Sequence, residues 1–171
     1  KLAKDFSDVE QVSVTGCKLK TIPTNLDLLK SLEILGLVKN KIDKLPPLTD
    51  CASLTEVDLF GNSLKEFPYK AFCSVPKLQT LNLEENFITA IPRVKSGDFK
   101  ALQQLNLASN NFSGFPEDVC GFHSLKILNL NFNLMGHLPL EIGQLSSLEE
   151  LHTRGNNIPD LPASLVLCKK L

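Results

Sequence analysis

The chain has little net charge and no long apolar segment. Its 171 residues carry a formal net charge of −1, so no overall field selects nucleic acid or an anionic membrane surface as a partner. No stretch reaches the ~18 consecutive apolar residues that a membrane-spanning helix needs. We therefore expect no nucleic-acid partner and no membrane span. A composition that is 43% hydrophobic and 22% charged suits one soluble domain.

The chain also lacks the short motifs that carry common metal and phosphate chemistry. It contains no Cys-x-x-Cys, no His-Glu-x-x-His and no Gly-x-x-x-x-Gly-Lys sequence. Its three histidines, His123, His137 and His152, have unlike sequence contexts, and no cysteine or serine recurs beside them at a spacing that a repeat would bring together. We therefore expect no enzyme, no metal site and no cofactor site in this chain.

What the chain has instead is an internal repeat of about 23 residues. The pattern apolar-x-x-apolar-x-apolar-x-x-Asn begins near positions 9, 32, 54, 78, 102, 125 and 148, with Cys17 in place of the first Asn and Thr153 in place of the last third-apolar residue. An apolar-Pro pair follows every copy, as in Leu138-Pro139. A fixed period of this length predicts a solenoid, in which each repeat packs on its neighbours. Function is then expected on a surface.

This pattern resembles the leucine-rich repeat family over nearly the whole chain. The resemblance implies one α/β domain, residues 1–171, that coils into a right-handed solenoid. The concave face would carry a parallel sheet, and the convex side would carry short helices, 3₁₀ turns and extended segments. Copies such as 138–148, which read Leu-Pro-x-x-Ile-Gly-x-Leu-x-x-Leu, are most similar to intracellular repeats of the Ras-group scaffold type.

The spacing of apolar residues predicts the local structure of each copy. Alternation within apolar-x-apolar indicates a short strand, and segments 22–32, 115–125 and 138–148 have the spacing of a short helix or 3₁₀ turn that begins at a proline. Segment 45–48 contains two prolines and is expected to be extended, whereas segment 93–97 breaks the apolar spacing and is the expected loose loop.

The repeated asparagine follows the strand, where the chain must turn. Its side-chain amide can both donate and accept hydrogen bonds, so a column of such residues would join the turns of neighbouring coils. We predict this structural role for Asn40, Asn62, Asn86, Asn110, Asn133 and Asn156.

The cysteines favour a reducing compartment. Five is an odd number, and Cys73 and Cys120 lie two repeats apart, or roughly 10 Å at ~4.8 Å per strand. A disulfide needs Cα atoms within about 7 Å. We therefore expect all five to be small buried thiols, with Cys17 pointing inward, and we expect the protein to be cytoplasmic.

The outward strand positions are the candidate partner contacts. Glu56, Asp58, Glu84 and Glu85 would form an anionic patch on adjacent strands, with Phe60 beside them as an exposed apolar anchor. A solvated charged face is the equally weighted alternative. The full predicted binding set is Val38, Glu56, Asp58, Phe60, Glu84, Glu85, Asn106, Asn129, Asn131, Phe132, His152 and Arg154.

These features predict a protein-binding scaffold or regulatory module in intracellular signalling, with a partner that is basic where it meets the third and fourth repeats. Two alternatives stay open: the sensor region of a larger kinase, phosphatase, cyclase or ubiquitin ligase, and a fragment of an extracellular recognition receptor. We expect a fragment of a longer chain, because the chain has no initiating Met and Leu171 falls where an eighth repeat would begin. For the same reason, the missing apolar stretch of a signal peptide in segment 1–6 carries little weight.

Overall fold

The computed structural model describes residues 8–48 and 50–171, which form seven successive coils that begin at the predicted positions. Segment 1–6, which lacks the apolar stretch of a signal peptide, lies outside the described residues. Each coil contributes one strand of three residues to a single parallel sheet in chain order. The strands are β1 Gln11–Ser13, β2 Ile34–Gly36, β3 Glu56–Asp58, β4 Thr80–Asn82, β5 Gln104–Asn106, β6 Ile127–Asn129 and β7 Glu150–His152. The predicted solenoid is confirmed.

The strands stay in register because one apolar residue in each must face the interior. A slip by one residue would turn that side chain to the opposite face. The central residues pair side by side along the whole sheet: Val12, Leu35, Val57, Leu81, Leu105, Leu128 and Leu151. The flanking strand residues therefore all point to the concave face.

Short helices lie on the convex side, as predicted. The 3₁₀ helices are Leu26–Leu28, Glu117–Gly121, Leu140–Gln144 and Ala163–Leu167, and one α-helix, α1, spans Tyr69–Phe72. Four of these five helices begin directly after a proline, where a missing N–H removes no helical hydrogen bond. The three segments that we predicted to be helical each contain a 3₁₀ helix.

The two irregular segments differ in how they are held. Segment 45–48 has no regular structure, in agreement with its two prolines. Segment 93–97 also lacks a helix or strand, but it is tied to its neighbours. The Val94 N–H donates to Asp118 at 3.3 Å, the Lys95 N–H donates to Asp98 at 3.1 Å, and the Tyr69 hydroxyl of α1 also donates to Asp98.

The core runs the length of the solenoid between the sheet and the convex segments. Columns of leucine line the sheet side, and phenylalanines fill the convex side, where the rings of Phe99 and Phe122 lie 5.1 Å apart. In the last coil the equivalent positions are open, because no further coil covers them among the described residues. Leu161 is 68% exposed, whereas its counterpart one coil earlier, Leu138, is 6% exposed.

The repeated asparagines join neighbouring coils by hydrogen bonds. Asn86 is 3% exposed, and its amide nitrogen donates to carbonyl groups of Leu59, Leu83 and Glu84 at 3.0–3.2 Å. Its oxygen accepts the N–H of Leu64, in the preceding coil, at 3.0 Å. The same pattern recurs at Asn40, Asn62, Asn110, Asn133 and Asn156.

The prediction of five buried thiols is wrong for two residues. Cys51, Cys120 and Cys168 are buried, but Cys73 is half-buried and Cys17 is exposed. Cys17 occupies the first described coil, and its backbone N–H donates to Asn40 while its side chain stays on the surface. A thiol has too few hydrogen-bonding groups to replace the amide of asparagine, so nothing draws it inward.

Candidate protein-binding surface

The concave face is built from the outward residues of seven strands and the residues that follow them. Glu56 on β3 and Glu85, which follows β4, are exposed, whereas Asp58 on β3 and Glu84 after β4 are half-buried. The pairing of β3 with β4 places these carboxylates on neighbouring coils, as the sequence predicted. The acidic patch is therefore a geometric feature of this face.

Two carboxylates of this patch accept hydrogen bonds from groups of the protein itself. Asp58 accepts the Phe60 N–H at 3.0 Å and the Asn82 amide at 2.9 Å. Glu84 accepts the Asn106 amide at 2.8 Å. The carboxylates of Asp58 and Glu84 are therefore only partly available to a partner, because their oxygens end the strands or connect adjacent coils.

The last residue of each central strand makes the same hydrogen bond to the following turn. The side-chain oxygens of Asp58, Asn82, Asn106 and Asn129 each accept the N–H of the residue two positions later, at 3.0–3.1 Å. Asp and Asn commonly make this turn, because their short side chains reach their own backbone. Their recurrence at one repeat position was the sequence signal for it.

Phe60 is half-buried, which corrects the expectation of a fully exposed aromatic anchor. The ammonium group of Lys39, in the preceding coil, lies 5.6 Å from the centre of its ring. This cation–π contact covers Phe60 and brings a positive charge to the edge of the acidic patch. Val38, which precedes Lys39, is also half-buried.

A shallow groove of about 270 Å³ lies over strands β4 to β7. Its polar lining is neutral and rich in amides. The Gln104 amide and the amide nitrogen of Asn129 have no hydrogen-bond partner among the described residues, and Ile127 lies between them in the lining. Amides that are not already bonded can donate to and accept from a ligand.

The last two coils bring the remaining predicted contacts together. His152 lies 3.0 Å from Glu150, so it belongs to a local pair. The Asn131 oxygen accepts the Arg154 N–H at 2.6 Å, and the Arg154 guanidinium lies 5.8 Å from the centre of the Phe132 ring. Phe132 is 54% exposed, which makes it the most exposed aromatic side chain of the predicted set.

A feature that sequence reasoning missed lies directly before each repeated asparagine and before Cys17, which replaces the first one. This residue has a positive φ of 52–73° in all seven coils, at Gly16, Lys39, Gly61, Glu85, Ser109, Phe132 and Gly155. Three glycines at one repeat position were the available signal, because glycine adopts this conformation without strain. The left-handed residue turns the chain away from the sheet and so fixes the edge of the concave face.

The described part of the chain contains neither a metal-binding cluster nor a helix that could span a membrane. No three His, Cys, Asp or Glu side chains are grouped so that they could hold a metal ion. None of the described helices has both the length and the apolar character that crossing a membrane requires.

Known proteins identify the repeat. The family model for the leucine rich repeat matches residues 52–112. Rat leucine-rich repeat-containing G-protein coupled receptor 5 is 35% identical over 126 residues, which are 73% of this chain and 14% of the receptor. Mouse leucine-rich repeat and calponin homology domain-containing protein 1 is 36% identical over 140 residues, which are 76% of this chain and 19% of that protein. The Ras guanine nucleotide exchange factor V of Dictyostelium discoideum is 33% identical over 167 residues, with 88% of this chain and 8% of that protein covered.

Solved structures give the same result. The Arabidopsis receptor kinase HAESA, solved in complex with the peptide hormone IDA and the co-receptor SERK1, has a TM-score of 0.76 and 29% identity. This match covers 98% of the chain and 30% of the HAESA chain. A leucine-rich repeat protein of Leptospira interrogans has a TM-score of 0.64 and 28% identity, over 90% of this chain and 45% of that one. The chain belongs to the leucine-rich repeat family. It spans less than a fifth of the length of the three sequence relatives from rat, mouse and Dictyostelium discoideum.

Proposed function

We propose that this chain is a non-catalytic module that binds a protein partner on its concave face. The observation that carries this proposal is the open groove over β4 to β7, which is lined by the Gln104 amide and the Asn129 amide nitrogen, and neither of these groups has a hydrogen-bond partner among the described residues. Unbonded amides beside the apolar side chain of Ile127 suit an extended polypeptide, because its backbone offers both donors and acceptors.

The partner is basic where it meets β3 and β4. Glu56 and Glu85 are exposed there, and Asp58 and Glu84 keep part of their surface. Complementary charge mainly raises the rate of association and makes binding sensitive to salt. Lys39 limits the acidic area on one side, so the basic contact of the partner is centred on the third and fourth coils.

The proposed role is that of a scaffold or regulatory region in cytoplasmic signalling. The free thiols of Cys17, Cys73, Cys120 and Cys168 agree with a reducing compartment. The name of the Dictyostelium relative, a Ras guanine nucleotide exchange factor, agrees with a regulatory region in a larger signalling protein. A receptor fragment is the second candidate, because HAESA, which has the same fold, was solved with a peptide hormone.

The test is capture of partners from the cells of origin, followed by mass spectrometry. Gln104→Arg fills the groove with a charged side chain, and Glu56→Lys with Glu85→Lys reverses the exposed part of the acidic patch. We expect each change to weaken binding of the same partner by about tenfold or more, because both remove contacts at the centre of the surface. The loss in the double variant should shrink at high salt, given a screening length of about 8 Å at physiological ionic strength.

Matched changes on the convex side provide the control. Gln144→Arg and the pair Glu117→Lys with Glu141→Lys introduce the same charges at exposed positions of 3₁₀ helices. They should leave capture unchanged. A partner that is lost with the convex variants and retained with the concave ones would place the binding surface on the convex side and contradict the proposal.

A further inference from the structure

A strip of lysines runs along the first three coils at the turn edge, by which we mean the edge of the sheet where the strands end and the coils turn away. The lysines that lie on or next to this edge are all exposed. They are Lys18, Lys20, Lys39, Lys41, Lys44 and Lys65. The exposed carboxylates within the same turns are Asp43 and Glu66, so the strip is strongly cationic although the whole chain has a net charge of −1.

A backbone hydrogen bond connects the first two coils where they carry these lysines. The Lys41 N–H donates to the Leu19 carbonyl at 2.8 Å, which places Lys41 beside Lys18 and Lys20 of the first coil. Neighbouring coils lie about 4.8 Å apart at the sheet, which is well inside a screening length of about 8 Å. The positive charges therefore act together on a ligand.

The strip opens into a groove beside α1. This groove has a volume of about 710 Å³, within the range of about 300–1,000 Å³ that is typical of ligand pockets. Its apolar walls include Leu45, Phe67, Pro68, Tyr69 and Pro92. Lys44 and Lys65 of the strip and Lys70 of α1 line the same groove, together with the carboxylates Asp43 and Glu66. Most of the excess positive charge therefore lies along the strip beside the groove.

The groove follows from a difference between two coils. The second coil is two residues shorter than the third, and its return segment 45–48 carries two prolines and no helix. At the corresponding place the third coil forms α1, Tyr69–Phe72, beside this segment, and the Leu48 N–H donates to the Ala71 carbonyl. The resulting step leaves the apolar side chains of the shorter coil partly uncovered.

We propose that this groove and the lysine strip bind an acidic protein segment that inserts an apolar side chain between Lys44, Lys65 and Lys70. The apolar walls suit a side chain, and the lysine strip that leads into the groove suits carboxylates of the same segment. A recessed groove with apolar walls favours a polypeptide over the flat, polar surface of a membrane. This surface has the opposite charge to the acidic patch on the concave face, so the two surfaces select different partners.

The test is selection from a random dodecapeptide library displayed on phage, with the intact chain as the target. We expect enriched peptides with several acidic residues around a leucine or an aromatic residue. In a fluorescence polarisation assay, the triple variant Lys44→Gln, Lys65→Gln and Lys70→Gln should weaken the best such peptide at least tenfold. Far-UV circular dichroism should show that the triple variant is folded.

A control variant removes the same charge from other surfaces. Lys30→Gln, Lys77→Gln and Lys100→Gln change exposed lysines away from the groove and should alter the affinity less than twofold. Failure to enrich acidic peptides, or equal losses in the two triple variants, would overturn the proposal. So would lysine-dependent binding of phosphatidylserine vesicles or of single-stranded DNA without any enriched acidic peptide, because either result would assign the strip to another class of partner.

Discussion

At the scale of single residues, the stability of the solenoid depends on side chains that satisfy the backbone at each turn. Asn86 makes four hydrogen bonds at 3.0–3.2 Å, three as a donor and one as an acceptor. No apolar side chain of similar size can replace them. The consequence is that a polar residue is required at a position that is 3% exposed.

Replacing Asn86 with Ala is therefore expected to lower the free energy of unfolding by about 3 kcal/mol, because each buried group left without a partner costs about 1–3 kcal/mol. Urea unfolding monitored by circular dichroism measures this change. Asn111→Ala is the matched control, since Asn111 is exposed, and it should change stability by less than about 0.5 kcal/mol. Overlapping unfolding curves for Asn86→Ala and the parent protein would contradict the structural role of the column.

At the scale of elements, one hydrogen bond connects α1 to the irregular segment of the next coil. The Tyr69 hydroxyl donates to Asp98, and this bond is the main cause that raises the pKa of Tyr69 to about 12 from 10.0. The bond needs the neutral phenol, so its contribution is complete below pH 10 and is lost as the pH rises through about 12.

The chain contains a single tyrosine, so this pKa can be read directly from the absorbance of the phenolate near 295 nm. We expect a titration midpoint clearly above 10 in the native protein. Asp98→Asn should move the midpoint toward 10, because it removes the carboxylate that accepts the hydrogen bond from the neutral phenol and repels the phenolate. Circular dichroism over the same pH range identifies any unfolding. An identical midpoint in the parent and in Asp98→Asn would show that this bond does not hold the segment.

At the scale of the whole molecule, the free energy of unfolding of a solenoid is approximately the sum of the contribution of each coil and of each interface between neighbouring coils. Leu128 pairs with Leu105 on one side and with Leu151 on the other, and it is fully buried. Leu151 has such a neighbour on one side only among the described residues and is half-buried. The same side chain should therefore contribute less in the last coil than in the sixth.

We expect Leu128→Ala to cost about 3–4 kcal/mol, in the usual range for a buried leucine, and Leu151→Ala to cost about half as much. Thermal or urea unfolding of the two variants measures the difference. Equal costs would mean that the sheet behaves as one cooperative core in which position along the solenoid does not matter.

The sequence by itself determined the coil, because the repeat leaves one way to bury its leucines and bond its asparagines. Seven starting positions predicted seven strands in one register, and prolines marked where most of the convex helices begin. These features are local or strictly periodic, so no distant contact was needed to infer them.

Only the tertiary structure decided how the surfaces are used. The sequence placed Asp58 and Glu84 on the concave face, but their oxygens bond to neighbouring coils, and Lys39 covers Phe60. The apolar groove beside α1 exists because two coils of unequal length stack on each other. Such features depend on which side chains meet between coils, and the repeat pattern does not specify these contacts, because most outward positions differ from one copy to the next.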